Sequence, residues 1–226
     1  MSARCLLYYI TDRVQFPGGE PARRRALLDK IAEAAHAGVD YIQLREKELS
    51  TRELESLAKE AASLFREEKR LANGERRTAS RLLINSRTDI ALAAGADGVH
   101  LRSDDISPRD VRRAVSLAGH KPLTTDHFLV AVSCHSASDV RRAASEGADF
   151  AVFAPVFEKK AAPGTQPQGL AALTEACKVK IPVLALGGIT LENAQSCLEA
   201  GAAGVAGIRM FQENKISEVV RALHAL

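Results

Sequence analysis

Short apolar stretches alternate with longer amphipathic stretches along most of the chain. In four places small residues and a glycine lead directly into an apolar run. The glycines are Gly38, Gly95, Gly147 and Gly201, and successive members are separated by 57, 52 and 54 residues. The spacing is about twice that of one strand–helix unit, so each repeat is predicted to contain two strands and two helices. Four repeats therefore predict eight strands.

The apolar runs that this count requires between the repeat glycines are also present. They are short and rich in β-branched and large aliphatic residues, which is typical of parallel strands covered on both faces. These further predicted strands span residues 4–10, 81–84, 128–133 and 181–186.

The segments between the predicted strands carry helix start signals. Ser50 and Glu53 form a capping box, and Ser107 followed by Pro108 supplies a cap and a first helical residue. Alternating strands and helices without a linker-like stretch predict an α/β fold, a single (β/α)8 TIM barrel domain over residues 1–226. An open doubly wound sheet is the competing architecture. No GxGxxG motif follows the first strand, which weakens that alternative without excluding it.

Composition excludes several classes of function. The 226 residues are 46% hydrophobic and 26% charged, as in globular proteins with a substantial core, and a net charge of +3 is too small to indicate a nucleic-acid partner. No uninterrupted apolar run approaches the roughly 20 residues of a membrane span, and no charged leader precedes one, so we expect a cytoplasmic protein without a membrane partner. The four cysteines show no CxxC spacing, which argues against zinc or a redox dithiol. The sequence leaves open whether the protein forms a homo-oligomer.

Polar residues directly after the strands are the candidates for a functional site, because the carboxyl ends of barrel strands form the active-site face. The set is Thr11, Asp12, Gln43, Arg45, Lys47, Asn85, Ser86, His100, Arg102, Asp104, Asp105, Ser133, His135, Glu158, Lys159, Lys160, Gly187, Gly188 and Arg209. Most of these residues are expected to converge at one mouth.

The stretch IQLREK places three polar side chains on one side of an extended backbone. Gln43, Arg45 and Lys47 alternate along it, which offers an amide and two cations. Such a trio suits a phosphorylated substrate. A structural ion network at the barrel rim is the alternative interpretation.

Gly187 and Gly188 end the seventh strand, where this fold commonly binds phosphate through bare backbone N–H groups. A tight turn without a ligand is the simpler explanation of a glycine pair. At the end of the eighth strand, Ile208 and Arg209 could complete the cradle or add a cation.

Two further groups could carry chemistry. Asp104 and Asp105 could supply a ligand for Mg²⁺ if the substrate carries a diphosphate, although exposed loop carboxylates are common. His135 could act as a general acid or base near neutral pH, although a lone loop histidine is more often merely polar. No Asp–His relay to Ser133 is indicated by spacing, which disfavours a serine nucleophile.

Several segments together resemble a known family. IQLREK, LLINSRTDIALAAGADGVHL, VAVSCHS, a PVF loop and IPVLALGGIT, in this order over almost the whole chain, are similar to thiamine-phosphate synthase and its relative, the thiazole tautomerase. The resemblance implies a (β/α)8 barrel of thiamine biosynthesis that binds a thiazole phosphate. In the synthases, the diphosphate of a hydroxymethylpyrimidine leaves with the help of Mg²⁺ and cationic side chains, and the thiazole nitrogen attacks the pyrimidine methylene.

The resemblance implies roles for individual residues. Gln43 would hold the pyrimidine, Arg45, Lys47 and Asn85 the diphosphate, Asp105 the Mg²⁺, and Ser133 the diphosphate or the reacting pyrimidine, while Gly188 and Ile208 would cradle the thiazole phosphate. Together with the residue-based interpretation, this makes the candidate catalytic residues Arg45, Lys47, Ser133 and His135. The candidate substrate-binding residues are Gln43, Asn85, Lys159, Lys160, Gly187, Gly188, Ile208 and Arg209, and the candidate metal ligand is Asp105.

Three positions depart from the synthase pattern. Ser86 stands where the synthases have an aspartate after the asparagine of strand three. The loop after strand six reads EKKAAPGTQ instead of carrying a Thr-x-Thr-Lys element, with Lys159 and Lys160 as possible replacements for the cation. Arg209 stands where a small serine is usual.

The departures keep two alternatives open. The tautomerases also lack the aspartate and the threonine loop, and they transfer protons with a histidine that corresponds to His135. Gln43, Arg45, Lys47 and Asp105 favour the synthase, because a tautomerase has no diphosphate to hold. A catalytically silent barrel that binds a phosphorylated ligand is the third interpretation.

Overall fold

The first strand pairs in parallel with both the second and the eighth, so the sheet closes on itself. The computed structural model describes residues 4–71, 80–119, 127–158 and 166–226. The strands, in ring order, are β1 (Leu6–Ile10), β2 (Tyr41–Leu44), β3 (Arg81–Asn85), β4 (Gly98–Leu101), β5 (Leu129–Cys134), β6 (Phe150–Phe153), β7 (Val183–Ala185) and β8 (Gly204–Gly207). The prediction of a (β/α)8 barrel is confirmed, and the alternative interpretation as an open doubly wound sheet is wrong.

Helices follow the strands and form the outer layer. They are α1 (Glu20–Ala37), α2 (Thr51–Leu71), α3 (Thr88–Ala94), α4 (Pro108–Ala118), α5 (Ala137–Ser145), α6 (Gly169–Cys177), α7 (Ala194–Glu199), α8 (Arg209–Gln212) and α9 (Ile216–His224). A 3-10 turn over Arg13–Gln15 precedes α1. Within the described residues, no helix has both the length and the apolar character that crossing a bilayer requires.

The helix boundaries follow the local signals in the sequence. The Ser50 N–H donates to the Glu53 carboxylate at 2.9 Å and the Glu53 N–H to Ser50 Oγ at 3.4 Å, which is the predicted capping box. The repeat glycine Gly38 ends α1 with a φ of 88°, and its N–H donates to the carbonyls of the last turn. Local capping therefore sets where these helices begin and end.

The strands bury side chains on both faces, and alternation separates two cores. Outward-facing residues pack against the helices. Inward-facing residues fill the barrel with rings and aliphatic groups, including Tyr8, Tyr41 and Phe150. The Tyr41 and Phe150 ring centroids are 4.6 Å apart, so this part of the barrel is a packed core. The open space lies at the other end, beyond the carboxyl ends of the strands.

Candidate active site

A cavity of about 620 Å³ occupies the carboxyl end of the barrel, and every strand or the turn after it contributes to its wall. Its size is typical of pockets for small organic ligands. Among the residues predicted from the sequence, those that line it are Asp12, Gln43, Arg45, Lys47, Asn85, His100, Arg102, Asp104, Ser133, His135, Gly187, Gly188, Ile208 and Arg209. Four other predicted residues, Thr11, Ser86, Asp105 and Glu158, do not line it, and Lys159 and Lys160 lie outside the described residues.

The cationic part of the wall follows β2. Arg45 and Lys47 both face the cavity, and the pKa of Lys47 is lowered, chiefly by the charge of Arg45 and further by desolvation and Arg102. The effect of the Arg45 charge on the pKa of Lys47 indicates that the two cations lie close together. Among the described residues, no carboxylate forms an ion pair with either of them. The pair is therefore available to an anionic ligand.

Two amides stand beside the cations. Gln43 Nε2 donates to Asn85 Oδ1 at 2.8 Å, and Asn85 Nδ2 donates to Ser86 Oγ at 3.1 Å. These bonds fix the direction of the Gln43 amide and leave its oxygen as an acceptor for a ligand. Ser86 has a φ of 59°, in the left-handed region, directly after the strand.

A buried brace holds the chain at Arg45. The Arg45 N–H donates to Thr11 Oγ1 at 3.0 Å, and that hydroxyl donates to Glu46 Oε1 at 2.5 Å. Glu46 also accepts from the Arg13 N–H at 3.0 Å. Burial raises the pKa of Glu46 to about 6, against the opposing effect of the hydrogen bonds from Thr11 and Arg13. The brace ties the end of β1 to the segment that carries both cations.

A second polar chain crosses the barrel interior. Tyr8 Oη lies 2.9 Å from His100 Nδ1, and His100 Nε2 lies 2.8 Å from Ser133 Oγ. Burial lowers the pKa of His100 to about 3, and the charge of Arg45 acts in the same direction. The imidazole is therefore neutral over the physiological range of pH.

His135 is exposed and faces the same cavity. Its Nδ1 lies 2.7 Å from the Ala154 carbonyl oxygen, which can only accept. Nδ1 therefore carries the hydrogen, and in the neutral ring Nε2 keeps a lone pair. In this tautomer the ring offers an acceptor nitrogen, as a general base requires.

The glycine turn after β7 lies across the ring from β3. Gly187 and Gly188 have φ values of 97° and 67°, and a Cβ at Gly188 would lie 2.5 Å from the Glu158 carbonyl oxygen. Only glycine fits this left-handed, crowded position. Asn193 Nδ2 donates to the Gly188 carbonyl at 2.9 Å, which fixes the turn. Glycine at this position therefore allows the turn to pack against the segment after β6 at this end of the cavity.

The carboxylates near the mouth are turned toward Arg102. Asp105 Oδ2 accepts from the Arg102 N–H at 2.7 Å and Asp104 Oδ2 from Arg102 Nη2 at 2.9 Å. Asp104 and Asp12 line the main cavity, whereas Asp105 lines a smaller neighbouring one. The described residues contain no cluster of three or more His, Cys, Asp or Glu that could hold a metal. One carboxylate of the Asp104 and Asp105 pair is enough to bind Mg²⁺ when substrate oxygens and water supply its other ligands.

Sequence reasoning missed the roles of three residues at the site. The sequence predicts Tyr8 only as part of a strand, although its position two residues before Ile10 places its hydroxyl inside the barrel. The sequence predicts Thr11 as a mouth residue, whereas its hydroxyl donates to Glu46 in the brace. The odd position of Glu46 between two cavity-facing cations was the available signal, since strand alternation directs it to the other side.

The fold and the cavity define a (β/α)8 barrel with a polar mouth, lined by cations and amides on one side and by glycines on the other. The family model for thiamine monophosphate synthase matches residues 7–211. A Geobacter sulfurreducens protein provisionally named as a thiamine-phosphate synthase is 43% identical over 224 residues, which cover 97% of this chain and 93% of that protein.

A further relative and a solved structure point to the same family. The thiamine-phosphate synthase of Methanoculleus marisnigri is 35% identical over 223 residues, covering 96% of this chain and 92% of that protein. The structure of thiamine phosphate pyrophosphorylase from Pyrococcus furiosus superimposes with a TM-score of 0.75 at 27% identity, covering 99% of this chain and 95% of that one. The chain belongs to the thiamine monophosphate synthase family, a family of transferases of thiamine biosynthesis.

Proposed function

We propose that this protein is a thiamine-phosphate synthase, which joins hydroxymethylpyrimidine diphosphate to thiazole phosphate and releases pyrophosphate. The observation that carries the proposal is that two different groups of residues line opposite walls of one cavity of about 620 Å³. Arg45, Lys47 and the amides of Gln43 and Asn85 form one end, and the glycine turn at Gly188 forms the other. Two phosphorylated substrates require two such ends that face each other.

In the proposed reaction, the bond between the pyrimidine methylene carbon and the diphosphate oxygen breaks, and its electron pair leaves with the diphosphate. The thiazole nitrogen then donates its lone pair to the methylene carbon. Arg45 and Lys47 stabilise the negative charge that develops on the leaving oxygen, because their charges are held in place before the reaction. The products are thiamine phosphate and pyrophosphate.

Orientation of the pyrimidine is assigned to the amides. The Gln43 oxygen is left free to accept from an amino group on the ring, since the Gln43 amide nitrogen is bonded to Asn85. Asn85 and Ser133 line the same cavity and are assigned to the diphosphate or the ring. Holding the methylene carbon in line with the thiazole nitrogen accounts for much of the expected rate.

The thiazole phosphate is assigned to the glycine end. Backbone N–H groups at Gly188 and Ile208 would bind its oxygens, and Gly187 belongs to the same turn with a φ of 97°. Arg209, which lines the cavity beside Ile208, adds a positive charge. Ile10, Leu186 and Ala206 form apolar wall between the two ends and limit the access of water to the reacting carbon.

Mg²⁺ belongs to the proposal as a substrate-linked ion. Asp105 is the predicted ligand, and Asp104 is the neighbouring carboxylate at the cavity itself. When bound, Mg²⁺ would neutralise charge on the diphosphate. Lys159 and Lys160 are proposed to add positive charge to the same end, in place of the family's threonine-containing loop.

One observation favours a second candidate function. The hydrogen bond from His135 to the Ala154 carbonyl leaves a basic ring nitrogen at the cavity, as proton transfer in a thiazole tautomerase would require. The synthase remains the better supported activity, because a tautomerase has no diphosphate for Arg45, Lys47 and the Gln43 amide to hold.

The test is a two-substrate assay with the purified protein, hydroxymethylpyrimidine diphosphate, thiazole phosphate and Mg²⁺. We expect thiamine phosphate and pyrophosphate in equal amounts. Isomerisation of thiazole carboxylate phosphate without thiamine phosphate would establish the tautomerase instead. Binding of both substrates without either product would establish the silent barrel.

A further inference from the structure

Three side chains from three strands connect the core of the barrel with the cavity. They are Tyr8 of β1, His100 of β4 and Ser133 of β5, joined by contacts of 2.9 Å and 2.8 Å through the two nitrogens of the imidazole. Tyr8 is 0% exposed and His100 3% exposed, whereas Ser133 is half-buried and lines the cavity. The direction of these two hydrogen bonds decides what Ser133 offers to a ligand.

The direction at Tyr8 follows from the need to satisfy its buried hydroxyl. Among the described residues, the His100 ring is the hydrogen-bond partner of this phenol, and solvent does not reach it. If Nδ1 carried the hydrogen, the phenol hydrogen would be buried without an acceptor, which is costly. Tyr8 therefore donates to Nδ1, and the hydrogen of the neutral imidazole sits on Nε2.

The charge of the ring is fixed as well. A doubly protonated His100 would present an N–H toward the phenol and bury a charge, and the pKa of His100, lowered to about 3 by burial with a contribution from Arg45, excludes this form near neutrality. Tyr8 and Ser133 face the two ring nitrogens, and Arg45 is the charged group that acts on the ring. His100 is therefore a neutral donor toward Ser133.

We propose that Tyr8 and His100 are positioning residues that turn Ser133 into a hydrogen-bond donor toward the ligand. Because Ser133 Oγ accepts from His100, its own hydrogen is directed to an acceptor in the cavity. The matching ligand atom carries a lone pair, such as a diphosphate oxygen or an unprotonated ring nitrogen, and an amino group does not match. The role in turnover rests on the proposed synthase function, whereas the hydrogen-bond direction does not.

The direction is tested on the unaltered protein by NMR with ¹⁵N-labelled histidine. Nitrogen shifts distinguish protonated from unprotonated ring nitrogens, and the signal of His100 is assigned by its loss in the His100→Gln variant. We expect a hydrogen on Nε2, a lone pair on Nδ1 and no titration between about pH 5 and about pH 8. A hydrogen on Nδ1, or a charged ring at neutral pH, would overturn the proposal.

The consequence for turnover is tested with matched variants. His100→Leu removes both hydrogen bonds, whereas His100→Gln keeps an N–H toward Ser133 and an oxygen toward Tyr8. We expect the leucine variant to lose about tenfold in kcat, with an unchanged KM for thiazole phosphate, and the glutamine variant to recover most of the loss. Tyr41→Phe is the control, because Tyr41 lies in the same core without a hydrogen bond to His100, and wild-type kcat is expected.

The outcomes separate this inference from the proposed function. Equal losses for glutamine and leucine, or a parallel rise of both substrates' KM values, would show that His100 only supports the fold and would overturn the positioning role. If the unaltered protein makes no thiamine phosphate but shows the expected tautomer, the synthase proposal fails and the hydrogen-bond direction stands. If it turns over with the hydrogen on Nδ1, the inference fails and the synthase stands.

Discussion

Replacing Glu46 by glutamine tests the buried brace beneath Arg45. Glu46 is 3% exposed, and its pKa is raised by burial from 4.5 to about 6. Raising the pKa of this carboxyl by about 1.5 corresponds to about 2 kcal/mol. Because the folded pKa is the higher one, this stabilisation is fully present below about pH 4.5 and is lost as the pH rises through about 6. Glutamine resembles the protonated acid at every pH.

The assay is urea unfolding of both proteins between about pH 4 and about pH 8. Other groups titrate alike in the two proteins, so the difference in unfolding free energy isolates Glu46. We expect the wild type to lose about 2 kcal/mol relative to Glu46→Gln as the pH rises. Glu48→Gln is the control, since Glu48 also pairs with Arg13 but its side chain is 53% exposed. A flat difference for Glu46, or one of opposite sign, would refute the reasoning.

Three further predictions concern the cavity. Arg45→Ala is expected to lower kcat/KM by roughly 100-fold or more, whereas Arg24→Ala, on the outer helix α1 and paired with a carboxylate at 2.8 Å, leaves it unchanged; equal effects would contradict the assignment of faces. Gly188→Ala should raise the KM for thiazole phosphate, because its Cβ meets a carbonyl oxygen at 2.5 Å, while Gly38→Ala, with a similar φ and open space, should leave KM unchanged and reduce only stability. Chelation of Mg²⁺ should abolish thiamine phosphate formation, and Asp105→Asn should raise the Mg²⁺ concentration needed; activity in excess chelator would exclude the proposed ion.

The architecture was predictable because its signals are local. The repeat glycine Gly38 and the Ser50–Glu53 cap mark helix ends within a few residues, and the alternation in the strands separates inside from outside. The carboxyl-end rule then brought Gln43 and Ser133 to one mouth, since all strands of a closed parallel barrel point the same way.

The features of the site that the sequence did not predict depend on contacts between distant segments and on the course of loops. The hydrogen bond between Tyr8 and His100 joins residues 92 positions apart and requires the closed ring to exist first. Asp105 follows a strand, as a mouth residue should, but its carboxylate accepts from the Arg102 N–H and it lines the smaller cavity beside the main one. A pattern of residue types does not contain such turns.

The central claim is that one cavity holds a diphosphate at its cationic end and a monophosphate at its glycine end. The most direct measurement is a crystal structure of the protein with thiamine phosphate, pyrophosphate and Mg²⁺. We predict pyrophosphate against Arg45 and Lys47, the pyrimidine ring against Gln43, and the monophosphate at the amides of Gly188 and Ile208. Pyrophosphate at the glycine turn, or products bound outside the barrel mouth, would contradict the account.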